Sequence, residues 1–379
     1  MKEKTRKLNI AIDISLLKIN LAGMGTYVKE MVELISREDH QNNYYLLTNA
    51  DIACELKTGN NFSVIKSNIK PHVLWLEARV PYILKKYNID IFWQPDHILP
   101  PKVSGCKYYV TVHDLSAYKF HNVAMKRVEI VYKLFLKKSC NDAEKVIAIS
   151  EYTKKDIAAT LGIDTNKIKV IYNGDSPYEY ENNIKDEAVN KCFLKYGVDN
   201  PYFLFVGTIN PRKNVVTIIN AFEVVKKQYN RVKLVLVGEY GWNSNDVEQK
   251  ISQSTYKNDI IKTGFVSEEE KEIFYRNAIA LVFPSILEGL GLPVIEAMSV
   301  GTPVITSNNS SLPEVGGNAA IYIDDCKDYL DLSKKMIKIY NMTEEEKEKL
   351  SINSCVQSKK FSREKCAKEL LKLFEETVC

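Results

Sequence analysis

Short apolar runs alternate with longer amphipathic stretches along most of the chain. Apolar runs bounded by turn residues are typical of buried strands, and apolar positions three and four residues apart are typical of helices packed on a sheet. The alternation predicts successive βαβ units, in which helices cover both faces of a parallel sheet. In the first half, strands are predicted near residues 9–14, 44–48, 89–93, 107–112, 145–149 and 168–171, and helices over 25–36, 72–87, 124–140 and 151–161.

One stretch, from Asn173 to Asp199, interrupts this rhythm with Gly, Pro, Asn and acidic residues before a new strand opens at Phe203. Such a cluster of turn-forming residues predicts an interdomain linker. The total length of 379 residues also suits two domains of ordinary size. In the second half, strands are predicted near residues 203–206, 232–237, 259–263, 280–283 and 304–306.

Composition excludes several classes of protein. Hydrophobic residues make up 45% and charged residues 26% of the chain, as in ordinary globular proteins, and a net charge of +4 calls for no nucleic-acid partner. The eight cysteines include no CxxC pair, which indicates reduced thiols in the cytosol. The N-terminus lacks the pattern of a signal peptide, and no apolar run reaches the length of a bilayer span. We therefore expect a cytoplasmic protein, with any membrane contact peripheral and at the cytoplasmic face.

The densest chemical signal lies between Pro284 and Thr306. An apolar strand ends at Pro284, a loop containing Gly289 and Gly291 follows, and Pro293 suits the first turn of a helix. Glycines let backbone N–H groups approach a ligand closely, and the helix dipole favours negative charge at the N-terminus. This order of elements predicts a site for a diphosphate.

Two carboxylates, Glu288 and Glu296, flank the start of that helix. They would repel a phosphate unless they contact hydroxyl groups, which a ribose and a hexose supply. The pair therefore indicates a sugar nucleotide, with Glu288 on the transferred sugar and Glu296 on the ribose. The alternative is that Glu288 is a surface charge and that Glu296 only stabilises the helix start.

These residues resemble the E-x7-E region of retaining glycosyltransferases of family 4 (glycosyl transferases group 1), including bacterial mannosyltransferase-like polysaccharide enzymes. The segments 149–156, 172–174, 206–214 and 301–320 are similar to other parts of the family pattern. The resemblance implies the GT-B fold, in which two Rossmann-like domains face each other across a cleft and a C-terminal helix crosses back to the first. It implies an acceptor-binding domain over 1–180, joined by residues 362–379, and a donor-binding domain over 195–361.

The resemblance also implies roles for individual residues. Arg212 and Lys213 are expected to hold the donor diphosphate, and His113 to contact the transferred sugar near C6. Lys and Arg after a glycine turn suit a diphosphate leaving group, although Asn214 beside them also suits a helix cap. His97 is a further acceptor-side candidate. The expected catalytic residues are His113, Arg212, Lys213 and Glu288, and the expected donor-binding residues are Gly23, Gly25, Gly207, Thr208, Gly289, Leu290, Gly291, Leu292 and Glu296.

No cofactor or metal is expected, since the chain has no DxD motif in a metal-binding context and Asp324-Asp325 suits a turn. The expected reaction moves a hexose, with retention, from GDP-mannose, a UDP-sugar or a dTDP-sugar to a glycan or lipid-linked acceptor in polysaccharide synthesis. A sugar-nucleotide epimerase, a phosphorylase and a non-catalytic sugar-binding protein are the alternatives. The segment 125–138, apolar on one face with basic flanks, is either a helix packed on its sheet or a peripheral membrane contact.

Overall fold

The structure is a computed structural model that describes residues 6–18, 23–70, 72–119, 126–174, 178 and 184–376. The chain divides into two compact units. Among the described residues, the first comprises those of 6–119, 126–173 and 363–376, and the second comprises those of 174–362. Each unit is built around one parallel sheet with helices on both faces. Within the described ranges, no helix combines the length and the apolar character needed to cross a bilayer.

The first unit contains seven strands. They are β1 (Asn9–Asp13), β2 (Asn43–Thr48), β3 (Phe62–Lys66), β4 (Ile91–Gln94), β5 (Lys107–Val112), β6 (Lys145–Ala148) and β7 (Ile168–Val170). Its helices, numbered along the whole chain, are α1 (Met24–Glu38), α2 (His72–Leu74), α3 (Val80–Lys86), α4 (Ser116–Lys119), α5 (Lys126–Asp142), α6 (Glu151–Leu161) and α15 (Arg363–Glu376). The strand order is β3-β2-β1-β4-β5-β6-β7.

The C-terminal helix α15 is part of the first unit, which confirms the predicted return of the chain. Its apolar face, including Leu370 and Phe374, lies in the same buried cluster as residues of α1 and β1. Arg363, at its start, forms a 2.8 Å ion pair with Glu30 of α1. Burial of this face fixes the helix on the sheet, because apolar side chains removed from water supply most of the stabilisation.

The second unit contains six strands. They are β8 (Tyr202–Val206), β9 (Lys233–Val237), β10 (Ile260–Gly264), β11 (Ala280–Phe283), β12 (Val304–Ser307) and β13 (Ile321–Ile323). Its helices are α7 (Asp186–Tyr196), α8 (Val215–Gln228), α9 (Asn245–Gln253), α10 (Glu268–Arg276), α11 (Leu292–Ser299), α12 (Leu312–Gly316), α13 (Tyr329–Tyr340) and α14 (Glu344–Ser358). The strand order is β10-β9-β8-β11-β12-β13.

In both sheets the strand order reverses beside the first strand of the unit. The reversal falls between β1 and β4 in the first sheet and between β8 and β11 in the second. At such a point the connections leave on opposite faces and open a crevice at the carboxyl ends of the strands, which is where open α/β sheets bind ligands. Each unit therefore has one topologically favoured ligand site.

Three local predictions were wrong. The predicted linker contains α7, which begins with Asp186 and Glu187 and ends at Gly197 with a φ of 66°; its sparse apolar face hid the helical period. Strand β3 was missed because it is an edge strand with no fully buried residue. The helix predicted over 72–87 is interrupted by a π-helical segment, Trp75–Arg79, between α2 and α3.

Candidate active site

The second unit brings three of the predicted residues together at its strand reversal. Arg212 and Lys213 lie in a short 3₁₀ turn, Pro211–Lys213, that follows β8. Glu288 lies in the loop between β11 and α11. Because β8 and β11 are neighbours in the sheet, residues 75 positions apart in the chain meet at one edge.

The Glu288 carboxylate pairs with both cations. One oxygen, Oε2, lies 2.8 Å from Nη1 of Arg212, and the other, Oε1, lies 2.8 Å from Nζ of Lys213. The three side chains are largely shielded from water, and the Lys213 ammonium also stands 4.5 Å from the centroid of the Phe283 ring. We call Arg212, Lys213 and Glu288 the charged cluster.

Burial alone would raise the pKa of Glu288, but the neighbouring Arg212 and Lys213 outweigh it and lower the pKa from 4.5 to about 2. Glu288 is therefore ionised at neutral pH. The charged cluster then carries one net positive charge, since two cations face a single carboxylate. The cluster can therefore bind an anion while Glu288 stays ionised.

The loop that carries Glu288 is held by two serines from the segment after β12. The backbone N–H of Glu288 donates to Ser310 Oγ at 3.1 Å, and Ser311 Oγ lies 3.0 Å from the carbonyl oxygens of both Glu288 and Leu290. Gly291 precedes α11 with a φ of 100°, which an L side chain rarely adopts. The glycine thus lets the loop turn into the helix directly after the carboxylate.

The other predicted donor-binding residues have different environments. Gly207, directly after β8, donates its N–H to the carbonyl of Val237 at 2.9 Å. Thr208 is exposed, Leu292 is half-buried, and Gly289 and Leu290 are buried. The Leu290 side chain packs against Gly174. A Cβ added at Gly174 would lie 3.2 Å from Leu290 Cδ2. Leu290 therefore packs in the interior of the unit.

Glu296 belongs to a separate cluster on the same unit. Its carboxylate accepts from Tyr275 Oη at 2.7 Å and from Lys271 Nζ at 3.1 Å, both on α10. Lys271 also contacts Glu268, and Tyr178 Oη donates to Glu268 at 2.9 Å. The two glutamates thus have different partners, Glu288 on the β8 side and Glu296 on the α10 side.

Asn214 occupies the N-cap position of α8, as the alternative interpretation predicted, but its side chain does not cap the helix. Asn214 precedes α8 with a left-handed φ of 58°, but no backbone N–H of the helix donates to its side chain. Its amide instead donates to the carbonyls of Pro284 and Cys326. Asn214 therefore ties the turn that carries Arg212 to the end of β11.

In the first unit, His113 follows β5 and is buried. Its Nε2 donates to the carbonyl of Pro95 at 2.9 Å, which leaves Nδ1 unprotonated in the neutral ring. Burial, reinforced by the nearby His97, lowers the pKa of His113 from 6.5 to about 4. His113 is therefore neutral at physiological pH. The Tyr27 ring packs edge-on against it at 5.2 Å.

His97, the acceptor-side candidate, is held by partners within the first unit. The His97 ring is buried, and its Nε2 accepts the backbone N–H of His113 at 3.2 Å. Its Nδ1 lies 2.7 Å from both Asp96 Oδ1 and Tyr132 Oη. Both ring nitrogens are thus used within the unit, and His97 positions the backbone of His113.

Gly23 and Gly25 lie at the start of α1 in the same unit. Gly23 precedes the helix with a φ of 55°, and no described atom lies within 4 Å of the position that a Cβ would take. Gly25 is buried within the first turn. The positive φ explains a glycine at position 23, independently of any ligand.

Comparison with known proteins identifies the family. The sequence profile of Glycosyl transferases group 1 matches residues 193–355, and that of Glycosyltransferase Family 4 matches residues 21–175. The O-antigen chain mannosyltransferase RfbU of Salmonella typhimurium is 31% identical over 265 residues, which cover 69% of this chain and 68% of RfbU. This chain belongs to glycosyltransferase family 4.

Other family 4 relatives and solved structures agree with this assignment. The Escherichia coli O-antigen chain mannosyltransferase B is 26% identical to this glycosyltransferase over 95% of the chain and 97% of the relative. A glycosyltransferase from Rickettsia africae superposes with a TM-score of 0.73 at 19% identity, over 98% of this chain and 99% of the other. Anabaena HepE, in complex with UDP and glucose, superposes with a TM-score of 0.71 at 16% identity, over 97% and 99%. The structural matches confirm the GT-B fold, and the family assignment makes the chain a transferase rather than an epimerase, a phosphorylase or a non-catalytic binding protein.

Sequence reasoning missed the partners of Glu296. Lys271 and Tyr275 stand four residues apart on α10, so they share one face of that helix. The spacing is readable from the sequence, but nothing local indicates which carboxylate that face meets. The second unit therefore has a second polar cluster, around Glu296, whose members come from three separate segments of the chain.

Proposed function

We propose that this glycosyltransferase transfers a hexose from a nucleotide-sugar donor to a glycan or lipid-linked acceptor in the synthesis of a cell-surface polysaccharide. Two relatives are named as O-antigen chain mannosyltransferases, which supports mannose as the hexose and a polysaccharide as the product. The HepE structure holds UDP and glucose, which supports a nucleotide-sugar donor for the shared fold. GDP-mannose, UDP-sugars and dTDP-sugars are the donors to compare.

The observation that carries the proposal is the charged cluster at the strand reversal of the second sheet. Arg212 and Lys213 are held within 2.8 Å of a buried carboxylate, so their positions are set before a ligand arrives. Cations fixed in place stabilise charge that develops in a transition state without the cost of reorganising solvent. A nucleoside diphosphate is the leaving group that gains such charge as the glycosidic bond breaks.

The proposed mechanism divides the work among these residues. Arg212 and Lys213 neutralise the departing diphosphate, in the role that a metal ion plays in other transferases, and no metal is required. Glu288 is assigned to the transferred sugar. Neutral His113, on the first unit, is assigned a hydrogen bond from a sugar hydroxyl through its unprotonated Nδ1. The bond from the anomeric carbon to the diphosphate breaks as the acceptor oxygen attacks that carbon from the same face. The leaving phosphate takes the acceptor proton, so the anomeric configuration is retained.

A donor screen tests this function. Thermal unfolding is measured with GDP-mannose, UDP-glucose, UDP-galactose and dTDP-rhamnose, since a ligand at a hundred times its Kd stabilises by about 2.7 kcal/mol. The stabilising donor is then incubated with a membrane extract, and the product is examined by NMR. A product with the donor's anomeric configuration supports the proposal. Inversion would contradict the mechanism, and stabilisation by no donor would contradict the function.

A peripheral membrane contact is proposed for α5. One face of this helix enters the core through Leu136 and Cys140, whereas Ile130, Leu134 and Phe135 are 58%, 65% and 41% exposed. The same helix carries four lysines, Lys126, Lys133, Lys137 and Lys138, all exposed. Exposed apolar side chains beside lysines suit the interface of an anionic bilayer. The sequence alone favoured a packed helix with a solvated basic rim, and these exposed residues support the second alternative.

Sedimentation with vesicles tests this contact. We expect the protein to bind phosphatidylglycerol vesicles and to lose that binding in Leu134→Glu, which places a carboxylate in the apolar face. Leu194→Glu is the matched control, because Leu194 is 84% exposed on α7 of the other unit. Equal binding of both variants would exclude α5 as the contact.

A further inference from the structure

The first sheet has its own polar cavity at the strand reversal between β1 and β4. The cavity measures about 40 Å³ and is lined in part by Asp13 at the end of β1, Ser15 just after it, and Gln94 at the end of β4. All three are buried. The rest of the lining comes from Leu16, Lys18, His72, Pro95 and Asp96. None of these residues appears among the family motifs described above.

One polar atom in this cavity, Oε1 of Gln94, is buried without a hydrogen-bond partner in the described part of the chain. The Ser15 hydroxyl faces the Asp13 carboxylate, with which it interacts. Buried polar side chains are paired in the large majority of cases, so the unpaired amide oxygen needs an explanation. The position makes a ligand the natural partner, because open α/β sheets bind ligands at the strand reversal.

The chemistry around the cavity mixes donors and acceptors. The Asp13 carboxyl group accepts from the backbone N–H of Ser15 at 2.7 Å and from Trp75 Nε1 at 3.0 Å. Burial raises the pKa of Asp13. Lys18 Nζ donates to the side-chain oxygen of Asn49, Oδ1, at 3.4 Å. The side-chain nitrogen of Asn49, Nδ2, therefore donates to His72 Nδ1 at 3.2 Å. In the neutral His72 ring the proton is then on Nε2, a donor.

This set of groups selects the class of ligand. An anion would meet the Asp13 carboxylate and the Gln94 carbonyl oxygen, and a simple cation would meet Lys18. A hydroxyl group suits both kinds of neighbour, because it donates one hydrogen bond and accepts others. A volume of 40 Å³ admits about two or three water-sized groups, hence the hydroxyl edge of a sugar and not a whole ring.

We propose that the cavity formed by Asp13, Ser15 and Gln94 binds adjacent hydroxyl groups of a hexose in the acceptor. The inference rests on the proposed transfer to a glycan acceptor and assigns that acceptor a specific subsite. The subsite adjoins His113, since the carbonyl of Pro95, which also lines the cavity, accepts the His113 Nε2 proton. Gln94 contributes an acceptor and Ser15 a hydroxyl that both donates and accepts.

The test uses the full-length protein and simple sugars as probes. Methyl α-mannoside, α-glucoside, α-galactoside and α-rhamnoside are measured by saturation-transfer NMR in the presence of saturating UDP and GDP, which occupy the donor side. We expect at least one glycoside to bind the wild type and to lose binding in Gln94→Leu and in Ser15→Ala. Gln41→Leu, at an exposed position in the same unit, is the matched control and should bind as the wild type does.

Stability supplies an independent readout for the same variants. Gln94→Leu replaces a buried orphan acceptor with an apolar group of similar size, so we expect the melting temperature to rise by roughly 2–4 °C while glycoside binding is lost. With an active donor and acceptor, we expect the acceptor KM to rise about tenfold and the donor KM to stay unchanged. If Gln94→Leu is more stable than the wild type but no longer binds the glycoside, Gln94 serves ligand binding and not folding.

Four results would overturn the proposal. These are no binding of any glycoside to the wild type, binding by Gln94→Leu and Ser15→Ala equal to that of the wild type, displacement of the bound glycoside by inorganic phosphate, or a wild-type acceptor KM in Gln94→Leu. The first would assign the cavity to ordered water. Failure of the proposed function is distinguishable, because it would appear as an absence of sugar transfer from every donor by the wild type. An active Gln94→Leu variant with the wild-type acceptor KM would instead leave the transferase intact and remove only this subsite.

Discussion

Replacing Glu288 with glutamine removes the charge of the carboxylate and keeps its shape. The pKa of Glu288 lies at about 2, against 4.5 for an ordinary glutamate. This difference corresponds to roughly 3 kcal/mol in favour of the ionised form, at 1.36 kcal/mol for each tenfold change. Because the folded pKa is depressed, this stabilisation is fully present above pH 4.5 and is lost as the pH falls towards 2. At neutral pH the variant should therefore lose about 3 kcal/mol, within the range measured for broken buried ion pairs.

Two measurements follow for Glu288→Gln. Differential scanning calorimetry should show the second unit unfolding roughly 6–12 °C lower, at 2–4 °C for each kcal/mol in a unit of this size. Arg212 and Lys213 are then left facing each other without their counterion. A nucleoside diphosphate restores an anion, so it should stabilise the variant more than the wild type. Sugar transfer should fall in kcat, because the contact to the reacting sugar is lost while the diphosphate is still bound.

The control for this prediction is Glu348→Gln, which neutralises an exposed glutamate on α14 of the same unit. It should leave both the melting temperature and the diphosphate response within error of the wild type. If Glu288→Gln and the control have the same melting temperature, the charged cluster does not stabilise the unit. If the diphosphate stabilises Glu288→Gln less than the wild type, Glu288 contributes to diphosphate binding and its proposed role is wrong.

Four further outcomes are expected. Arg212→Ala and Lys213→Ala should each lower kcat about 10²–10³-fold, the loss measured when one preorganised donor to a developing charge is removed; near-normal kcat/KM in both would contradict the assignment. Glu296→Gln should raise the donor KM and weaken binding of the bare nucleoside diphosphate in titration calorimetry, since the proposed contact is to the ribose; unchanged affinity would remove that role. Activity should be the same with EDTA as with added Mg²⁺ or Mn²⁺, and loss on chelation with recovery in Mn²⁺ would show a metal requirement. The pKa of His113 is lowered to about 4, so the unfolded chain binds more protons between pH 4 and 6.5; His113 should cost the first unit about 3 kcal/mol as the pH falls through that window, and His113→Asn should reduce the pH dependence by that amount in calorimetric scans at each pH.

The parallel-sheet architecture was readable from the sequence because its central strands are continuous apolar runs. Strands such as β5 and β8 are buried on both faces, so nearly every residue is apolar and the turns at each end stand out. The prediction failed for β3 and α7, where apolar and polar residues are less clearly separated along the chain. Edge strand β3 alternates weakly, and α7 buries only Cys192, so tertiary contacts rather than local pattern decide both.

The positions of the site residues were predictable, but their pairing was not. Arg212 and Glu288 follow apolar strands of the second sheet, and His113 follows an apolar strand of the first. The parallel strands of one sheet end at one edge, so the local sequence places each residue at the carboxyl edge of its own sheet. The pairing of Glu288 with Arg212 and Lys213 depends on β8 and β11 being neighbours, which is a property of strand order. Local spacing alone therefore placed the carboxylate towards the sugar and did not show that it also holds both cations.

The two strand reversals differ in chemistry in the way that the two substrates of a glycosyl transfer differ. The crevice of the second sheet holds two cations and one carboxylate, which suits a diphosphate whose charge grows during the reaction. The cavity of the first sheet holds an unpaired amide oxygen, a hydroxyl and a carboxylate, which suits hydroxyl groups whose charge does not change. Glu288 also moderates the first of these sites, because it offsets one of the two positive charges that a diphosphate would meet.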